Sequence, residues 1–490
     1  MITDPRERTV LDAVPTQLLI GGEWRPAASG AMFPVEDPAT GDTIADVADG
    51  RAEDALAALA AASAAQEAWA AHPPRERGEI LRRTYELLTE RADDLALLMT
   101  LEMGKPVGDS RAEISYAAEF FRWFSEESVR VDGRYTMEPN GRGRLLMLRQ
   151  PVGPCLLITP WNFPTAMGTR KIGPAIAAGC TMVVKPAGLT PLSMLALGSI
   201  LTEAGLPPGV LNIVTTTKSG ETTGPVIEDP RLRKLSFTGS TEVGRQLMAA
   251  AASQVLRVSM ELGGNAPFLV FGDADLDAAV DGAVLAKMRN IGEACTAANR
   301  FLVHESVVDE FGARLAARLG AMKLGRGTEP DVEVGPLIEA KARAKVAELV
   351  EDARDRGAKS LVGGEPLGGS GYFYAPTVLA QVPPDARLLR EEIFGPVAPV
   401  VSFATDDEAI AAANDTEYGL VSYAYTQDLD RAFRVVEGLQ CGMVGLNRGL
   451  VSNPAAPFGG VKHSGFGREG GHEGIHEYLE VKYVAMTVGT

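Results

Sequence analysis

The chain has 490 residues, of which 46% are hydrophobic and 23% are charged, and its net charge is −17 at pH 7. This length predicts two or three domains, and the composition is typical of a soluble globular protein. The negative charge disfavours nucleic acid as a partner, because phosphate backbones would be repelled. An anionic substrate would therefore need basic residues close to its binding site.

The sequence shows no pattern typical of a metal site, a signal peptide or a membrane helix. The four cysteines are scattered, and the five histidines form no metal-binding cluster. The N-terminal residues lack the apolar core of a signal peptide, and the apolar runs stay well below the ~20 residues of a membrane helix. We therefore expect a cytoplasmic protein without a bound metal, whose partners include neither membrane nor nucleic acid.

Two long amphipathic helices are predicted first, over residues 52–70 and 76–103. After residue 150, short apolar strands alternate with helices, and a second series of the same kind runs from 267 to about 440. This alternation predicts two α/β layers with parallel sheets and a cleft between them, where a ligand could bind. Residues 129–148 and the tail from 477 fit neither series, and we interpret them as extended arms that pair between subunits.

Cys295 lies in the stretch GEACTAANR, where small residues follow the cysteine and leave room for an approaching ligand. Such surroundings suit a nucleophilic thiol. A free thiol titrates near ~8.5, so the site would have to help it to react at pH 7. For this segment alone, a structural cysteine is the better explanation.

Two further segments place polar side chains where strands end. Asn162 in ITPWNFP follows a predicted strand, at the edge of a parallel sheet where ligands bind. Its amide could donate to an oxyanion, and a helix N-cap is an equal alternative. Glu261 in MELGGNAP ends another strand beside two glycines and could activate water. A surface carboxylate at a strand end is the simpler explanation of that segment by itself.

The stretch SFTGSTEVGR, residues 236–245, has the strand–turn–helix pattern of a phosphate site. Gly239 and Ser240 open a helix whose free N–H groups favour anions. The pattern GxGxxG occurs once, in SGFGREGG near the C-terminus. No strand is predicted before it and no βαβ unit can be built around it, so we do not interpret it as a dinucleotide motif.

Seven motifs occur in the order found in NAD(P)-dependent aldehyde dehydrogenases, namely ITPWNFP, KPAGLTP, SFTGSTEVGR, MELGGNAP, GEACTAANR, EEIFGPV and PFGGVKHSGFGREGG. Through them the chain resembles this superfamily from about residue 20 to 485. It is most similar to the succinate-semialdehyde dehydrogenase branch, in FFRWFSEE, AMGTRKIGPAIAAGC, MRNIGEAC and GLVSN. The resemblance implies an α/β fold with two consecutive Rossmann-like parallel-sheet domains and a small β oligomerisation arm.

The resemblance also implies domain boundaries. It assigns an NAD(P)-binding domain to 1–128 and 149–260, a catalytic domain to 261–441, an oligomerisation arm to 129–148 and 477–490, and a substrate and active-site loop region to 442–476. It further implies a homodimer or homotetramer.

Individual roles follow from the matching motif positions. The resemblance implies Cys295 as nucleophile, Asn162 as oxyanion donor, Glu261 as general base, and Lys171 with Glu469 as a proton-relay pair. Cofactor-binding positions are Thr159, Pro160, Trp161, Lys185, Gly188, Gly239, Ser240, Gly244, Glu392 and Phe394. The substrate's far carboxylate would bind Arg170, Arg289 and Ser452, although both arginines could instead be structural.

Three positions depart from the usual pattern of the superfamily. Glu293 replaces a glutamine, and a carboxylate there would raise the thiol pKa unless it points away or is protonated. Gly188 replaces a glutamate that in many relatives accepts from the adenosine ribose and repels a 2′-phosphate. NADP is therefore expected to be tolerated and to be favoured over NAD. Ala297 replaces a second cysteine found in some relatives, which excludes a local disulfide switch.

The implied reaction is the NAD(P)-dependent oxidation of an aldehyde through a cysteine thiohemiacetal and a thioester. Similarity within the superfamily favours succinate semialdehyde as substrate and succinate as product. A broader aldehyde specificity and a preference for glutarate semialdehyde are alternatives. A different class of enzyme, a redox-independent ester or thioester hydrolase, would use the same cysteine and glutamate.

Overall fold

A computed structural model describes residues 4–487 of the chain. Within that range it contains fifteen α-helices and twenty β-strands. The helices are α1 Pro5–Asp12, α2 Ala52–Ala71, α3 Pro74–Glu90, α4 Ala92–Met103, α5 Val107–Glu127, α6 Ala166–Ala178, α7 Leu192–Glu203, α8 Ser219–Glu228, α9 Thr241–Ala252, α10 Leu276–Met288, α11 Val308–Gly320, α12 Ala340–Asp355, α13 Asp406–Asn414, α14 Leu429–Gly438 and α15 Glu473–His476.

The strands are short and belong to four sheets. They are β1 Leu18–Ile20, β2 Glu23–Arg25, β3 Met32–Glu36, β4 Thr43–Ala48, β5 Arg134–Met137, β6 Gly143–Pro151, β7 Cys155–Ile158, β8 Met182–Lys185, β9 Leu211–Ile213, β10 Lys234–Thr238, β11 Arg257–Glu261, β12 Ala266–Val270, β13 Ala298–His304, β14 Lys359–Val362, β15 Thr377–Ala380, β16 Val397–Phe403, β17 Val421–Tyr425, β18 Met443–Leu446, β19 Gly465–Phe466 and β20 Leu479–Thr487.

The largest sheet has eight strands in the order β19-β11-β10-β7-β8-β9-β1-β2. The strands from β11 to β9 are parallel, whereas β19, β1 and β2 add antiparallel edges. Continuous apolar runs form the central strands because helices cover both faces of a parallel sheet. α6, which follows β7, is buried along its whole length. The carboxyl ends of β7, β8, β10 and β11 therefore meet at one edge, where ligands bind in such folds.

The second large sheet has seven strands in the order β14-β15-β16-β13-β12-β17-β18. All of its neighbouring strands are parallel except β14, which is an antiparallel edge. Its core contains stacked and tilted aromatic rings, with Phe268 packed against Phe301, Tyr423 and Tyr425 at 5.1 to 5.8 Å. These two mainly parallel sheets agree with the α/β fold class that the sequence predicts.

A third, antiparallel sheet is formed by the segments that fit neither α/β series. β20 pairs with β6 over nine residues, and β5 extends the sheet on the other side of β6. These segments are thus extended, as expected, and they pair within the chain. Their pairing between subunits stays a prediction. Residues 1–3 and 488–490 of the predicted domains lie outside the described residues.

The prediction of one long helix over 76–103 is wrong. α3 ends at Glu90 and α4 begins at Ala92, with Arg91 between them at φ −102° and ψ 16°. The Arg91 side chain instead donates to both carboxylate oxygens of Glu203 on α7, at 2.8 and 2.7 Å. No proline or glycine marks this break, so helical periodicity alone could not locate it. No helix among residues 4–487 is long and apolar enough to cross a membrane.

Candidate active site

Cys295 lies on a loop between α10 and β13 whose backbone is strained. In the short turn before it, Asn290 and Ile291 have φ angles of 54° and 61°. A β-branched residue such as isoleucine rarely adopts a positive φ, because its Cβ crowds the backbone. The Asn290 side-chain amide holds the turn by donating to the carbonyl oxygens of Asn162 and Glu293, at 3.0 and 2.8 Å. These contacts fix the backbone that presents the thiol.

Asn162 lies on the turn between β7 and α6, opposite the Cys295 loop. Its Nδ2 donates to the carbonyl oxygen of Glu293 at 3.0 Å, two residues before the thiol. Because a side-chain amide carries two N–H hydrogens, the second remains available to another acceptor. α6 begins at Ala166 with Thr165 as its N-cap, so the interpretation of Asn162 as a helix cap is wrong.

A buried ion pair that the sequence did not reveal supports the Asn162 turn. Lys105 Nζ lies 2.5 Å from Glu113 Oε2 and donates to the Asn162 carbonyl oxygen at 2.9 Å. Glu113 Oε1 accepts from the backbone N–H groups of Thr165 and Ala166, each at 3.0 Å. Both charged side chains are fully buried, so losing either would leave an unpaired charge in the core. The pair therefore fixes the turn against the start of α6.

The Cys295 thiol is half-buried and protonated at neutral pH. Burial raises the pKa of the Cys295 thiol to about 12; the charges of Arg170 and Arg289 oppose this increase, and those of Glu392 and Glu261 add to it. The thiolate, not the thiol, is the nucleophilic form. The thiol therefore needs a proton acceptor or additional positive charge before its sulfur can attack.

Glu261 ends β11, and its buried carboxyl group lines the same cavity as the thiol. Neither of its carboxyl oxygens has a hydrogen-bond partner among the described residues. Burial raises the pKa of Glu261 well above its ordinary value, and the charge of Glu469 raises it further, while Arg170 and Lys171 partly oppose both. A carboxyl group with a raised pKa accepts protons more readily at neutral pH. The interpretation of Glu261 as a surface carboxylate is wrong.

Glu469 contacts two buried cations. Its Oε1 lies 2.6 Å from Lys171 Nζ, and its Oε2 lies 2.7 Å from Arg170 Nη2. Burial opposes ionisation of Glu469, but these two cations outweigh it and lower the pKa. The Arg170 guanidinium also stacks 3.8 Å from the centroid of the Phe458 ring. The structure thus brings Lys171 and Glu469 together and commits Arg170 to the same carboxylate.

A cavity of about 560 Å³ leads to Cys295 and Glu261, a size common among small-molecule sites. The Trp161 and Phe394 rings meet edge to face in its wall, with centroids 5.4 Å apart. Ser240 is the N-cap of α9, so the positive end of that helix opens into the cavity. Six of the expected cofactor positions line the cavity, namely Pro160, Trp161, Gly239, Ser240, Glu392 and Phe394.

The other four expected cofactor positions, Thr159, Lys185, Gly188 and Gly244, are not in the wall of this cavity. Thr159 donates its N–H to the Lys185 carbonyl at 3.2 Å, where β7 and β8 end. The Lys185 side chain is buried, and burial lowers its pKa to about 8. Its ammonium makes no hydrogen bond or ion pair to the residues that the structure describes. Gly244 lets α9 pack closely, because a Cβ there would lie 2.5 Å from Leu262.

Comparison with known proteins shows the family to which the chain belongs. Residues 24–484 match the aldehyde dehydrogenase family. The chain belongs to the aldehyde dehydrogenase family.

Relatives of known name support the same assignment. A succinate-semialdehyde dehydrogenase from Paenarthrobacter nicotinovorans is 59% identical over 443 residues, which are 90% of this chain and 98% of that protein. A glutarate-semialdehyde dehydrogenase from Pseudomonas aeruginosa is 50% identical over 470 residues, 96% of this chain and 97% of that protein. The crystal structure of an NADP-dependent enzyme from E. coli has a TM-score of 0.96 at 48% identity and 100% coverage of both chains. The predicted superfamily and fold class are confirmed.

Arg289 has the environment of an anion-binding residue in this aldehyde dehydrogenase. It is half-buried, and its Nη1 lies 3.1 Å from Ser452 Oγ. Its guanidinium lies over the Phe163 ring at 4.7 Å and near the Tyr116 ring at 5.8 Å. Within the described part of the chain, no carboxylate lies within ion-pairing distance of Arg289. Its charge is therefore available to a ligand.

The Glu293 side chain does not lie against the Cys295 thiol, although it is only two residues away in the sequence. Its side chain is fully buried and its Oε1 accepts from the Ile338 N–H at 3.1 Å. Burial raises the pKa of Glu293 well above its ordinary value, with the charge of Lys105 partly opposing this. A carboxyl group whose pKa is raised carries its negative charge less readily, which weakens its effect on the nearby thiol. The Glu293 carboxyl group is thus held by Ile338, and its raised pKa reduces its influence on Cys295.

Two features of the site carry no recognisable motif in the sequence. The hydroxyl of Tyr116 on α5 is buried near the charges of Arg170 and Arg289. The first turns of α12 form one wall of the cavity, with Lys345 Nζ donating to the Glu392 carbonyl at 2.7 Å. In the sequence, the only sign that α12 borders a binding site is the four-residue spacing of Lys341 and Lys345, which places two cations on one helix face. Among residues 4–487, no group of three metal-ligating side chains could hold a metal ion.

Proposed function

We propose that the protein oxidises an acidic semialdehyde, succinate semialdehyde, to the dicarboxylic acid with NADP or NAD. One observation supports the acidic substrate above all, namely the half-buried Arg289 guanidinium without a carboxylate partner. A guanidinium binds a carboxylate through two parallel hydrogen bonds. Ser452 and Tyr116 provide hydroxyl groups beside it. Arg170, which is paired with Glu469, contributes its charge to the site rather than a free guanidinium.

In the proposed mechanism, Cys295 forms the covalent bond to the substrate. The thiol gives its proton to the Glu261 carboxylate in the same cavity, which later releases it to solvent, and the sulfur attacks the aldehyde carbon to give a thiohemiacetal with a negatively charged oxygen. The second N–H of Asn162 and the Cys295 backbone N–H donate to this oxygen. Because both donors are fixed before the charge develops, they stabilise the transition state without reorganisation. A bound nicotinamide would supply the hydride acceptor for this carbon, and the group left on Cys295 would be a thioester.

Glu261 then acts as the base that activates water. Its carboxylate takes one proton from a water molecule, the resulting hydroxide attacks the thioester carbon, and the acid leaves. A carboxyl group with no competing hydrogen bond and a raised pKa suits this step. The sulfur of Cys295 leaves as a thiolate and is ready for another aldehyde.

The residues around the cavity fit a dinucleotide with a 2′-phosphate. Lys185 is a buried cation without a partner in the described residues, and the α9 N-terminus favours a pyrophosphate. Gly188 offers no carboxylate that would repel the 2′-phosphate. A Cβ at Gly188 would lie 3.3 Å from the Thr216 carbonyl oxygen, so a larger residue would fit after a small shift. We therefore propose that NADP is favoured over NAD.

Glutarate semialdehyde is the second candidate substrate, since a relative with that name is 50% identical. The test is steady-state formation of reduced cofactor with succinate semialdehyde, glutarate semialdehyde and butanal, each with NADP and with NAD. We expect a higher kcat/KM for succinate semialdehyde than for the other two aldehydes. Equal values for succinate semialdehyde and butanal would exclude the arginine anchor. Turnover of an ester without any nicotinamide, and no oxidation, would instead support a hydrolase.

We also propose that the three-stranded sheet is the oligomerisation arm of a homodimer or homotetramer, within the domain boundaries given above. Large apolar side chains are exposed on its strands, as expected of a surface that a second subunit covers. They are Tyr135, Met137, Leu148, Val481 and Tyr483.

We propose a cytoplasmic location, with which the four free cysteines are compatible.

A further inference from the structure

Lys287 is a buried cation to which the mechanism above gives no role. It lies in the last turn of α10, and its side chain is completely buried. Among residues 4–487, its Nζ has no hydrogen-bond partner and no carboxylate within ion-pairing distance. Lysine is almost never fully buried unless it is paired, because removing its charge from water destabilises the fold. A position with this energetic disadvantage is a candidate for a functional role.

The last turn of α10 packs against the segment that carries Glu392. Gly292, at φ 78°, lies between them. A Cβ at Gly292 would lie 3.2 Å from the Lys287 carbonyl oxygen and would collide with the carbonyl group of Gly395, just after Glu392. In the described part of the chain, Glu392 is also the one carboxylate whose charge acts on Lys287. The two side chains therefore belong to one electrostatic unit.

The surroundings of Glu392 oppose its negative charge. Its Oε1 accepts a single hydrogen bond, from the backbone N–H of Gly264 at 3.1 Å. Burial raises the pKa of Glu392 to about 7, while the Gly264 N–H and the charges of Lys345 and Lys287 oppose this increase. A carboxyl group in this state gains or loses its charge with small changes in its environment.

Of the two cations that act on Glu392, only Lys287 is removed from water. The Lys345 side chain is exposed, and its Nζ donates to the Glu392 backbone carbonyl at 2.7 Å, so salt and water screen its charge. Two further ionisable groups, Tyr418 and Cys295, lie near Glu392. Burial and the charge of Glu392 raise the pKa of each to about 12, so both are neutral at pH 7. Lys287 is thus the unscreened charge that favours a Glu392 carboxylate.

A ligand in the cavity would make this charge more important. Glu392 lines the cavity, and an ionised carboxylate can accept hydrogen bonds from the hydroxyl groups of a ribose. The same ligand would displace water from Glu392, which disfavours the charged form. Burial lowers the pKa of Lys287 to about 7, with the charge of Glu392 partly opposing this. Lys287 is therefore charged at the acidic pH values at which Glu392 would otherwise bind a proton.

We propose that Lys287 is a positioning residue for the cofactor, whose buried ammonium keeps Glu392 ionised so that this carboxylate can bind the ribose hydroxyl groups. This inference rests on the proposed function and deepens it, because it assigns a role in nicotinamide dinucleotide binding to a residue outside the cavity wall. Lys287 itself contacts neither cofactor nor substrate.

The experiment replaces Lys287 by methionine in the full-length enzyme, and repeats the same change in a Glu392→Gln background as the matched control. NADP binding is titrated by quenching of tryptophan fluorescence, since Trp161 lines the cavity. The titrations cover the range from about pH 5.5 to about pH 9.5, with and without about 1 M KCl. Thermal unfolding without cofactor is recorded for every variant.

We expect acidification to weaken NADP binding at a higher pH in Lys287→Met than in the natural enzyme. Removing a nearby cation raises the pKa of a carboxyl group, so the midpoint should rise by about one pH unit. NADP affinity should then fall about fivefold at pH 7 and hardly change at about pH 9, where Lys287 is already neutral. The shift should persist at high salt, because a buried charge is little screened. In the Glu392→Gln background, Lys287→Met should have no further effect.

Thermal unfolding distinguishes this role from a structural one. Methionine has a similar volume and no charge, so Lys287→Met should unfold at the same temperature as the natural enzyme or higher. Lys287→Arg, which keeps the charge, should keep the midpoint of the natural enzyme. An upward shift of the midpoint in Lys287→Arg would overturn the inference, even if the methionine variant did not fold.

Three other results would also contradict the role of Lys287. They are an unchanged midpoint in Lys287→Met, an equal loss of affinity at every pH together with a lower unfolding temperature, and the same loss in the Glu392→Gln background. In each case the dehydrogenase function would remain intact. If the natural enzyme bound neither NADP nor NAD at any pH, the proposed function itself would be wrong.

Discussion

Replacing Arg289 by leucine tests the substrate assignment most directly. The change keeps much of the side-chain volume over the Phe163 ring and removes the guanidinium that lies 3.1 Å from Ser452 Oγ. The variant therefore loses the charge-assisted hydrogen bonds that an acidic substrate would make. A neutral aldehyde of equal length, butanal, makes no such bonds.

The expected size of the effect follows from the burial of the guanidinium. A hydrogen bond to a charged group contributes about 1.5–3 kcal/mol. Arg289 is half-buried, and two bonds to one carboxylate are not additive, so we expect a loss of about 2–3 kcal/mol. At 1.36 kcal/mol for each factor of ten, kcat/KM for succinate semialdehyde should fall about 30- to 150-fold. Arg289→Lys, which keeps the charge without the fork, should lose less.

The assay must compare two substrates, because Arg289 also acts on the nucleophile. Its charge opposes the increase in the pKa of the Cys295 thiol, so its removal slows attack on every aldehyde. The ratio of kcat/KM for succinate semialdehyde to that for butanal cancels this common effect. We expect this ratio to fall about 30- to 150-fold in the leucine variant. A ratio equal to that of the natural enzyme would refute a direct contact between Arg289 and the substrate carboxylate.

Four further predictions concern the other groups of the site. Cys295→Ala should abolish oxidation while leaving cofactor binding by fluorescence titration intact; residual turnover would point to another nucleophile. Glu261→Gln should keep the burst of reduced cofactor and slow the steady state about 10²–10⁴-fold, so loss of the burst would count against a role in deacylation. Gly188→Glu should weaken NADP more than NAD, visible in the ratio of their kcat/KM values, and equal changes would contradict the assignment of this position. Because the pKa of Lys185 is lowered to about 8, its charge is present below that pH and lost above it, so NADP affinity should fall between pH 7 and pH 9.5 more than NAD affinity. Lys185→Met should remove that difference, and a difference that persists in this variant would exclude Lys185 as its source.

The parallel sheets were predictable from the sequence, because continuous apolar runs and intervening helices are local patterns. The positions of Asn162 and Glu261 at the ends of strands could likewise be predicted from the neighbouring residues alone. What the sequence could not settle was the burial of each side chain, which separates a general base from a surface carboxylate. Burial depends on residues distant in sequence, such as Glu469, which follows Glu261 by more than two hundred positions.

The missed features share this dependence on distant contacts. Lys105 and Glu113 lie in helical surroundings with no motif of their own, and only the fold places them under the Asn162 turn. Tyr116 is one aromatic residue among several on α5, and its hydroxyl has a special environment only because the Arg289 turn packs against it. Arg170 shows the converse case, since its motif match predicted a substrate anchor and the structure pairs it with Glu469.

The buried charges of the site constrain the order of its chemistry. Arg170 and Lys171 are two cations that share one anion, Glu469, and Arg289 has no carboxylate partner among the described residues, so positive charge is in excess near the thiol and the base. Burial raises the pKa of both Cys295 and Glu261; the charge of Glu261 raises the pKa of Cys295 further, and the charge of Glu469 raises that of Glu261. A thiolate is therefore stabilised while Glu261 is protonated, and a Glu261 carboxylate is stabilised once the sulfur is neutral in a thioester. Nucleophilic attack and water activation therefore use the same excess positive charge one after the other. The proton on Glu261 must leave after the attack and before the water is activated.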